Sequence, residues 1–334
     1  MQIQFITPFI RLILNKKILF FCFSLVFLMA MAEENKVIIS KDSILTKKER
    51  LKFLSHRVRG FDKYDATLMA LKKAIKANIK YIEIDVRASK DGILYVYHDP
   101  CTGNDTNKTR CFYNTYSDHI KNISYNDGQK ILTLEDALIE FKNTKRQDQY
   151  LCIDIKDYGY EKKYIQMVRH FELETNVVFI SWIPQTLLKL NQFKVKAPLI
   201  FSHFNFMNSR YIPSSFFTKV LKNLRINLFN FIIMGQNTYN EPIEPEKGYQ
   251  HCMLLNEIPK ELQLVLSNSK GGICIPKIMI GKKIFNYCNK KSLKLWIFSA
   301  NTIQEFKTFA SNSNIDVIFC NFYFNPSSKN NFPR

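Results

Sequence analysis

The first 32 residues of this chain contain no acid, and no CxxC pair or Cys/His cluster anywhere in it has zinc spacing. No lysine and arginine block is interleaved with aromatics, and no linker divides the body of the chain. The acid-free opening carries Arg11, Lys16 and Lys17, then the apolar run Ile18 to Met29, then Ala30-Met31-Ala32 before Glu33-Glu34. That order of cationic, apolar and small residues predicts a secretory signal peptide over 1–32, with export to the periplasm or beyond. An uncleaved membrane anchor that also uses Phe5 to Leu14 is the alternative. Cys22 lies inside the apolar run, not where a lipoprotein signal would place it. Without zinc spacing a zinc centre is not expected. Without a basic, aromatic block nucleic acid is not an expected partner.

What is present is a strong positive balance. The formal net charge is +19, and removing the leader's three cations leaves +16 on the remainder. Such a field favours anionic partners, phosphate esters or acidic membrane surfaces. Hydrophobic residues make up 46% and charged residues 23%, the composition of a folded globular chain rather than a disordered one. Seven of the eight cysteines lie beyond the leader. Cys152 and Cys320 sit in apolar runs and read as core thiols, whereas Cys101 and Cys111 flank a polar loop and could pair in an oxidising compartment.

The stretch Lys80 to Pro100, KYIEIDVRASKDGILYVYHDP, organises the rest. Tyr81, Glu83 and Asp85 alternate with Ile82, Ile84 and Val86 at the period of a strand, so two carboxylates share one face. Asp91-Gly92 reads as a two-residue turn, after which a returning strand carries His98 at its end. Around it, strands are expected at 51–57, 150–155, 177–182, 199–203, 272–275, 293–299 and 316–320. Helices are expected at 66–77, 134–141, 162–171, 184–192, 259–267, 282–289 and 302–310. A further helix at 214–224 and an extra apolar run at 229–234 fall in the least regular part. The lead-in is 33–50, and the alternation over 51–325 predicts a (β/α)8 TIM barrel with a long loop insertion, 99–130, after the second strand and its hairpin.

In such a barrel the carboxyl ends of the strands carry the chemistry. His56-Arg57, Glu83 and Asp85, His98, and Asp154 with Lys156 all fall there. Glu83, Asp85 and Asp154 offer only oxygen ligands, which suits Mg2+ or Ca2+ rather than zinc. His56 and His98 suit acid and base work near neutral pH. Arg57 and Lys156 supply fixed positive charge for a phosphoryl oxygen. Taken singly, His56 could be a structural histidine, and Asp154 with Lys156 a simple ion pair.

His56-Arg57, Glu83-x-Asp85-Val86-Arg87, Lys90-Asp91-Gly92, His98-Asp99-Pro100, Leu134-Glu135-Asp136-Ala137-Leu138 and Ile153-Asp154-Ile155-Lys156 together resemble the successive motifs of glycerophosphodiester phosphodiesterases, within the phospholipase C-like barrel superfamily. Ser181-Trp182-Ile183-Pro184, Leu295-Trp296 and Ile315-Asp316-Val317-Ile318 extend the resemblance more thinly. It implies His56 and His98 as the acid and base, Glu83, Asp85 and Asp154 as ligands of one divalent cation, and Arg57, Lys156 and Trp296 as phosphate or substrate contacts. The implied reaction is hydrolysis of a glycerophosphodiester to glycerol 3-phosphate and an alcohol. Alternatives are a phospholipase C- or D-like enzyme acting on intact or lyso-phospholipid at a membrane, and a non-catalytic barrel that binds phosphate esters. Phe112, Tyr113, Phe204, Phe206, Phe216 and Phe217 are the candidate membrane contacts. The chain departs from the family where glycine usually follows His-Arg, since Val58-Arg59 intervene before Gly60. It departs again at Asp154, where glutamate is usual, and at Cys320-Asn321, where a Thr-Asp pair is usual. With that shortened ligand, Ca2+ is expected to serve at least as well as Mg2+.

Overall fold

The structure, a computed structural model, describes residues 45–203 and 258–322. The leader, most of the lead-in, the expected helix 214–224, the run 229–234 and Phe204, Phe206, Phe216 and Phe217 lie outside them.

Nine strands form one sheet: β1 (Phe53–Ser55), β2 (Tyr81–Ala88), β3 (Leu94–Val96), β4 (Tyr150–Ile155), β5 (Val177–Ser181), β6 (Leu199–Ser202), β7 (Gly272–Pro276), β8 (Lys294–Ala300) and β9 (Val317–Cys320). Eight of them are parallel, in the order β1-β9-β8-β7-β6-β5-β4-β2, and pairing of β1 with β2 closes the circle. This is a (β/α)8 barrel, and β3 is the hairpin strand antiparallel to β2. The helices around it include α1 (Lys47–Arg50), α2 (Leu68–Lys76), α3 (Ser117–Ile120), α4 (Leu134–Thr144), α5 (Glu161–His170) and α6 (Pro184–Gln192), followed by α7 (Lys260–Asn268), α8 (Lys282–Lys291) and α9 (Ile303–Ala310). Threonine starts four of them. Thr46, Thr67, Thr133 and Thr302 accept a hydrogen bond from the backbone N–H three residues on, which satisfies a donor the helix cannot. Pro184 opens α6, where its missing N–H is harmless.

Period-two alternation divides every barrel strand between two cores. On β2 and β4, Ile82, Ile84, Val86, Leu151, Ile153 and Ile155 face outward into the layer beneath the helices. Cys152 faces inward with Leu54, Val178, Ile180, Ile200, Cys274, Trp296, Val317 and Phe319, and Tyr81 and Tyr150 pack against that inner cluster. The register pairs Tyr81 with Tyr150, Glu83 with Cys152 and Asp85 with Asp154. The inner column therefore runs from aromatic at the amino end to carboxylate at the carboxyl end.

Two local readings change. Pairing of Ala88 with Leu94 leaves Ser89 to Ile93 as the hairpin loop, so the turn is wider than Asp91-Gly92. The Ser89 hydroxyl accepts the Ile93 N–H at 2.8 Å, and Gly92 takes a left-handed φ of 81° that glycine adopts without strain. Strand β2 also continues three residues past Asp85, because the ribbon with β3 rises above the barrel rim.

The insertion carries a small core of its own. Tyr95, Tyr97, Phe112, Ile120, Ile123, Tyr125 and Ile131 pack together, and Cys101 is disulfide-bonded to Cys111. Phe112 is thus buried and does not offer itself to a bilayer. Among the described residues no helix is long and apolar enough to cross a membrane.

Candidate active site

Strand β1 ends at Ser55, and the chain turns at once through a single tight turn, His56–Val58. Arg57 and Val58 both sit at positive φ, 56° and 53°. A left-handed conformation is open to glycine and strained for a β-branched residue, by roughly 1–3 kcal/mol. Val58 is fully buried, the Ala66 N–H reaches Arg57 O at 2.9 Å, and the Arg57 N–H donates to Glu83 Oε2 at 2.6 Å. Packing and two hydrogen bonds hold the turn where the resemblance expects glycine.

Glu83, Asp85 and Asp154 come together as the alternation requires, with one oxygen of each inside a sphere where all lie within 4.8 Å of one another. All three are at most 5% exposed. Lys156 Nζ lies 2.7 Å from Asp85 Oδ1 and 2.6 Å from Asp154 Oδ2, and Arg57 Nε lies 3.4 Å from Asp85 Oδ2. Burial and then the neighbouring charges of Asp85 and Asp154 push the Glu83 carboxyl well above the usual range. Burial pushes Asp85 the same way, but Lys156, His98, Arg57 and His56 outweigh it and hold its carboxyl far below. Lys156 keeps its proton more firmly than usual: burial opposes the charge, and Asp154, Asp85 and Glu83 more than compensate.

With all three carboxylates ionised, two cations leave one negative charge unmatched, and burial together with that excess makes Glu83 and Asp154 hold their protons more firmly than usual. Glu83 Oε1 and Asp154 Oδ1 have no hydrogen-bond partner although both are buried, a state that is expensive for an anionic oxygen. An all-oxygen set with two orphaned oxygens fits a hard divalent cation.

The histidines flank this cluster, each with its Nδ1 engaged. His56 Nδ1 lies 2.6 Å from Asn321 Oδ1. Asn321 Nδ2 donates to Ser299 Oγ at 2.9 Å and Asn301 Oδ1 at 2.7 Å, so its oxygen must face the imidazole. Nδ1 of His56 therefore carries the proton, and Nε2 keeps a lone pair. Burial, then Arg57, drive the His56 imidazole well below its ordinary value, and Asp85 recovers only part of the difference. His98 Nδ1 lies 2.6 Å from Asp99 Oδ1. Burial lowers His98 too, while Asp85 and then Asp99 pull it back up.

Three side chains that support the site were not assigned roles from the sequence. Arg87 donates from Nε to His98 O at 3.0 Å and from Nη1 to Asp157 Oδ1 at 2.9 Å, and Asp157 Oδ2 accepts the Ala88 N–H at 2.7 Å. This buried pair clamps the His98 backbone to the end of β4. Arg87 had a signal, since it stands in the quoted motif after Asp85. Asn321 was marked only as a departure from the usual Thr-Asp pair, and Asp157 had no signal that local spacing could show. Trp296 is not brought to the cluster. It is 4% exposed, and its ring packs against Tyr81 and Phe319 in the inner core, toward the amino ends of the strands.

Residues 55–214 match the model of the Glycerophosphoryl diester phosphodiesterase family. Over this segment the chain is similar to the glycerophosphodiester phosphodiesterase family. Glycerophosphodiester phosphodiesterase 1 of Bos taurus is 24% identical over 164 residues, 45% of this chain and 48% of the relative. The Uncharacterized protein YqiK of Bacillus subtilis (strain 168) is 27% identical over 143 residues, 39% of this chain and 58% of the relative. The chain thus spans about half the length of the curated relatives it matches. Among solved structures, the Oleispira antarctica phosphodiesterase in complex with the product sn-glycerol-3-phosphate superposes with a TM-score of 0.54 at 18% identity, covering 81% of this chain and 92% of that one. A glycerophosphodiester phosphodiesterase from Parabacteroides distasonis gives 0.54 at 15%, with the same coverage. At such identities the likeness is one of fold.

The family match encloses His56, Arg57, Glu83, Asp85, His98, Asp154 and Lys156, and excludes Trp296 and Asn321. The matched segment therefore holds the carboxylates and both histidines, while the partner that orients His56 comes from the residue just after the last barrel strand.

Proposed function

We propose that this protein is a metal-dependent phosphodiesterase that hydrolyses glycerophosphodiesters to glycerol 3-phosphate and an alcohol. The observation that carries the reading is the buried cluster Glu83, Asp85 and Asp154, with two orphaned oxygens, between two histidines whose Nδ1 atoms are both engaged. The three carboxylates would hold one divalent cation, and Ca2+ tolerates the irregular set with the short Asp154 at least as well as Mg2+. When bound, such an ion supplies Lewis-acid stabilisation of a phosphoryl oxygen.

The chain's own groups divide the proton work. His56, neutral with Nε2 unprotonated, takes the proton from the attacking hydroxyl or water. His98, supported by the Asp99 carboxylate, gives a proton to the leaving oxygen as the phosphorus–oxygen bond breaks. Arg57 and Lys156 place positive charge beside the phosphoryl group, where negative charge builds in the transition state.

The disulfide at Cys101 supports the further proposal that the chain works outside the cytoplasm, in keeping with the leader reading of 1–32. Hydrolysis of glycerophosphocholine by the purified chain, compared with phosphatidylinositol and lysophospholipid vesicles, tests the substrate class. Release of glycerol 3-phosphate from glycerophosphocholine, abolished by chelator and restored by Ca2+ or Mg2+, is the expected result. Turnover of vesicles alone, or full activity in excess chelator, would overturn it.

A further inference from the structure

The barrel has a second mouth, at the amino ends of its strands, and its lining is lysine and aromatic rather than carboxylate. A cavity of about 410 Å³ opens there. Lys48, Lys52, Lys80, Lys270 and Lys294 surround it, drawn from four parts of the sequence by the closing of the barrel, against a single lining carboxylate, Asp316. That carboxylate is already engaged: Oδ1 lies 3.1 Å from Lys294 Nζ, and Oδ2 accepts the Leu295 N–H at 2.9 Å. The amino end of a barrel of this type ordinarily serves stability, and a ring of like charges does not serve it.

One of these lysines is fixed. Lys52 is 9% exposed, and its Nζ donates to Ala310 O at 2.9 Å and Asn312 O at 2.6 Å. Burial and then the charge of Lys48 depress its affinity for a proton, and Asp316 offsets them only in part. The floor is aromatic and apolar. Tyr81 and Tyr150 stack at 5.4 Å and 25°, Trp296 leans on Tyr81 at 5.6 Å, and Val178 and Ile200 complete it. Burial keeps the Tyr81 hydroxyl protonated well above neutral pH, so it remains a donor.

We propose that this amino-end cavity is a binding site for a nucleoside phosphate, with phosphates on the lysine rim and the base toward the Tyr81, Tyr150 and Trp296 floor. The volume lies in the range of small-molecule sites, and an inorganic anion would satisfy the rim while leaving the apolar floor uncovered. Lysine ammonium groups bind phosphate as point charges, and aromatic faces take a base of any identity.

The test uses the full chain and ADP, adenosine and inorganic phosphate as probes. In a Trp182→Phe variant Trp296 is the remaining tryptophan of the two in the sequence, and its emission reports the floor. ADP is expected to change that emission saturably and to bind at least tenfold more tightly than either adenosine or inorganic phosphate by calorimetry. Lys80→Gln combined with Lys270→Gln, both away from the carboxylate cluster, should weaken ADP at least tenfold without changing melting temperature or glycerophosphocholine turnover. Saturating glycerol 3-phosphate should not displace ADP. Inorganic phosphate binding as tightly as ADP, displacement by glycerol 3-phosphate, or an unchanged ADP affinity in the double variant would each overturn the proposal.

Discussion

His56 Nδ1 and Asn321 Oδ1 lie 2.6 Å apart across 265 residues of sequence, and the asparagine's own donors are both committed elsewhere. A neutral amide orients the imidazole and favours its protonated form less than Asp85 does, so burial and Arg57 still prevail. His56→Ala should lower turnover by about a hundredfold or more, the loss expected for a missing acid or base. Asn321→Ala should lower it less, through lost orientation. The acid limb of the kcat/KM profile should lie below pH 6.5, because the His56 value is depressed. Asn321→Asp places a carboxylate against the imidazolium, raises that value, and should move the limb to higher pH. A limb that stays in place in Asn321→Asp would separate His56 from the base role.

Asp154 offers one oxygen to Lys156 and leaves the other without a partner. Asp154→Ala should abolish binding of Ca2+ measured by calorimetry, and Asp154→Glu should retain it. Binding of Ca2+ unchanged in the alanine variant would place any ion elsewhere.

The Cys101–Cys111 bond closes a ten-residue interval just after His98 and Asp99. A loop of that length is worth roughly 2–3 kcal/mol in unfolded-state entropy. Replacing both cysteines with serine should lower the melting temperature and expose 99–130 to limited proteolysis. A variant as protease-resistant as the parent would show that the small aromatic core suffices alone.

At Gly272 a methyl group would fall 1.9 Å from the carbonyl oxygen of Lys294, its neighbour on β8. Backbone cannot yield as a side chain does. Gly272→Ala should therefore destabilise the barrel by at least about 1–3 kcal/mol, read as a fall in the denaturation midpoint.

The carboxylate cluster was legible because alternation is a local rule. Once β2 and β4 were recognised, Glu83, Asp85 and Asp154 had to face the same interior. The barrel itself followed from repeated strand and helix patterns whose bounds the structure shifts by only a few residues. The contacts of Asn321 and Asp157 were not legible, since what they touch depends on which strands become neighbours and in what register. Trp296 is placed by its strand: two residues from the first of β8, its ring lies among the amino-end aromatics rather than beside Arg57 and Lys156. The hairpin loop widened because the Ser89 side chain, not a backbone turn alone, closes it.

Strand β1 is three residues long and owes its position to two neighbours, β2 from the same end of the chain and β9 from the other. A polypeptide emerging amino end first can pair Leu54 with Tyr81 early, yet Phe53, Leu54 and Ser55 wait for Ile318, Phe319 and Cys320. Contacts of such separation are slow to form and leave unsatisfied strand edges open to other chains meanwhile. The histidine that follows β1 acquires Asn321 only when that last strand docks, so the emergence of activity during refolding times the final closure rather than collapse.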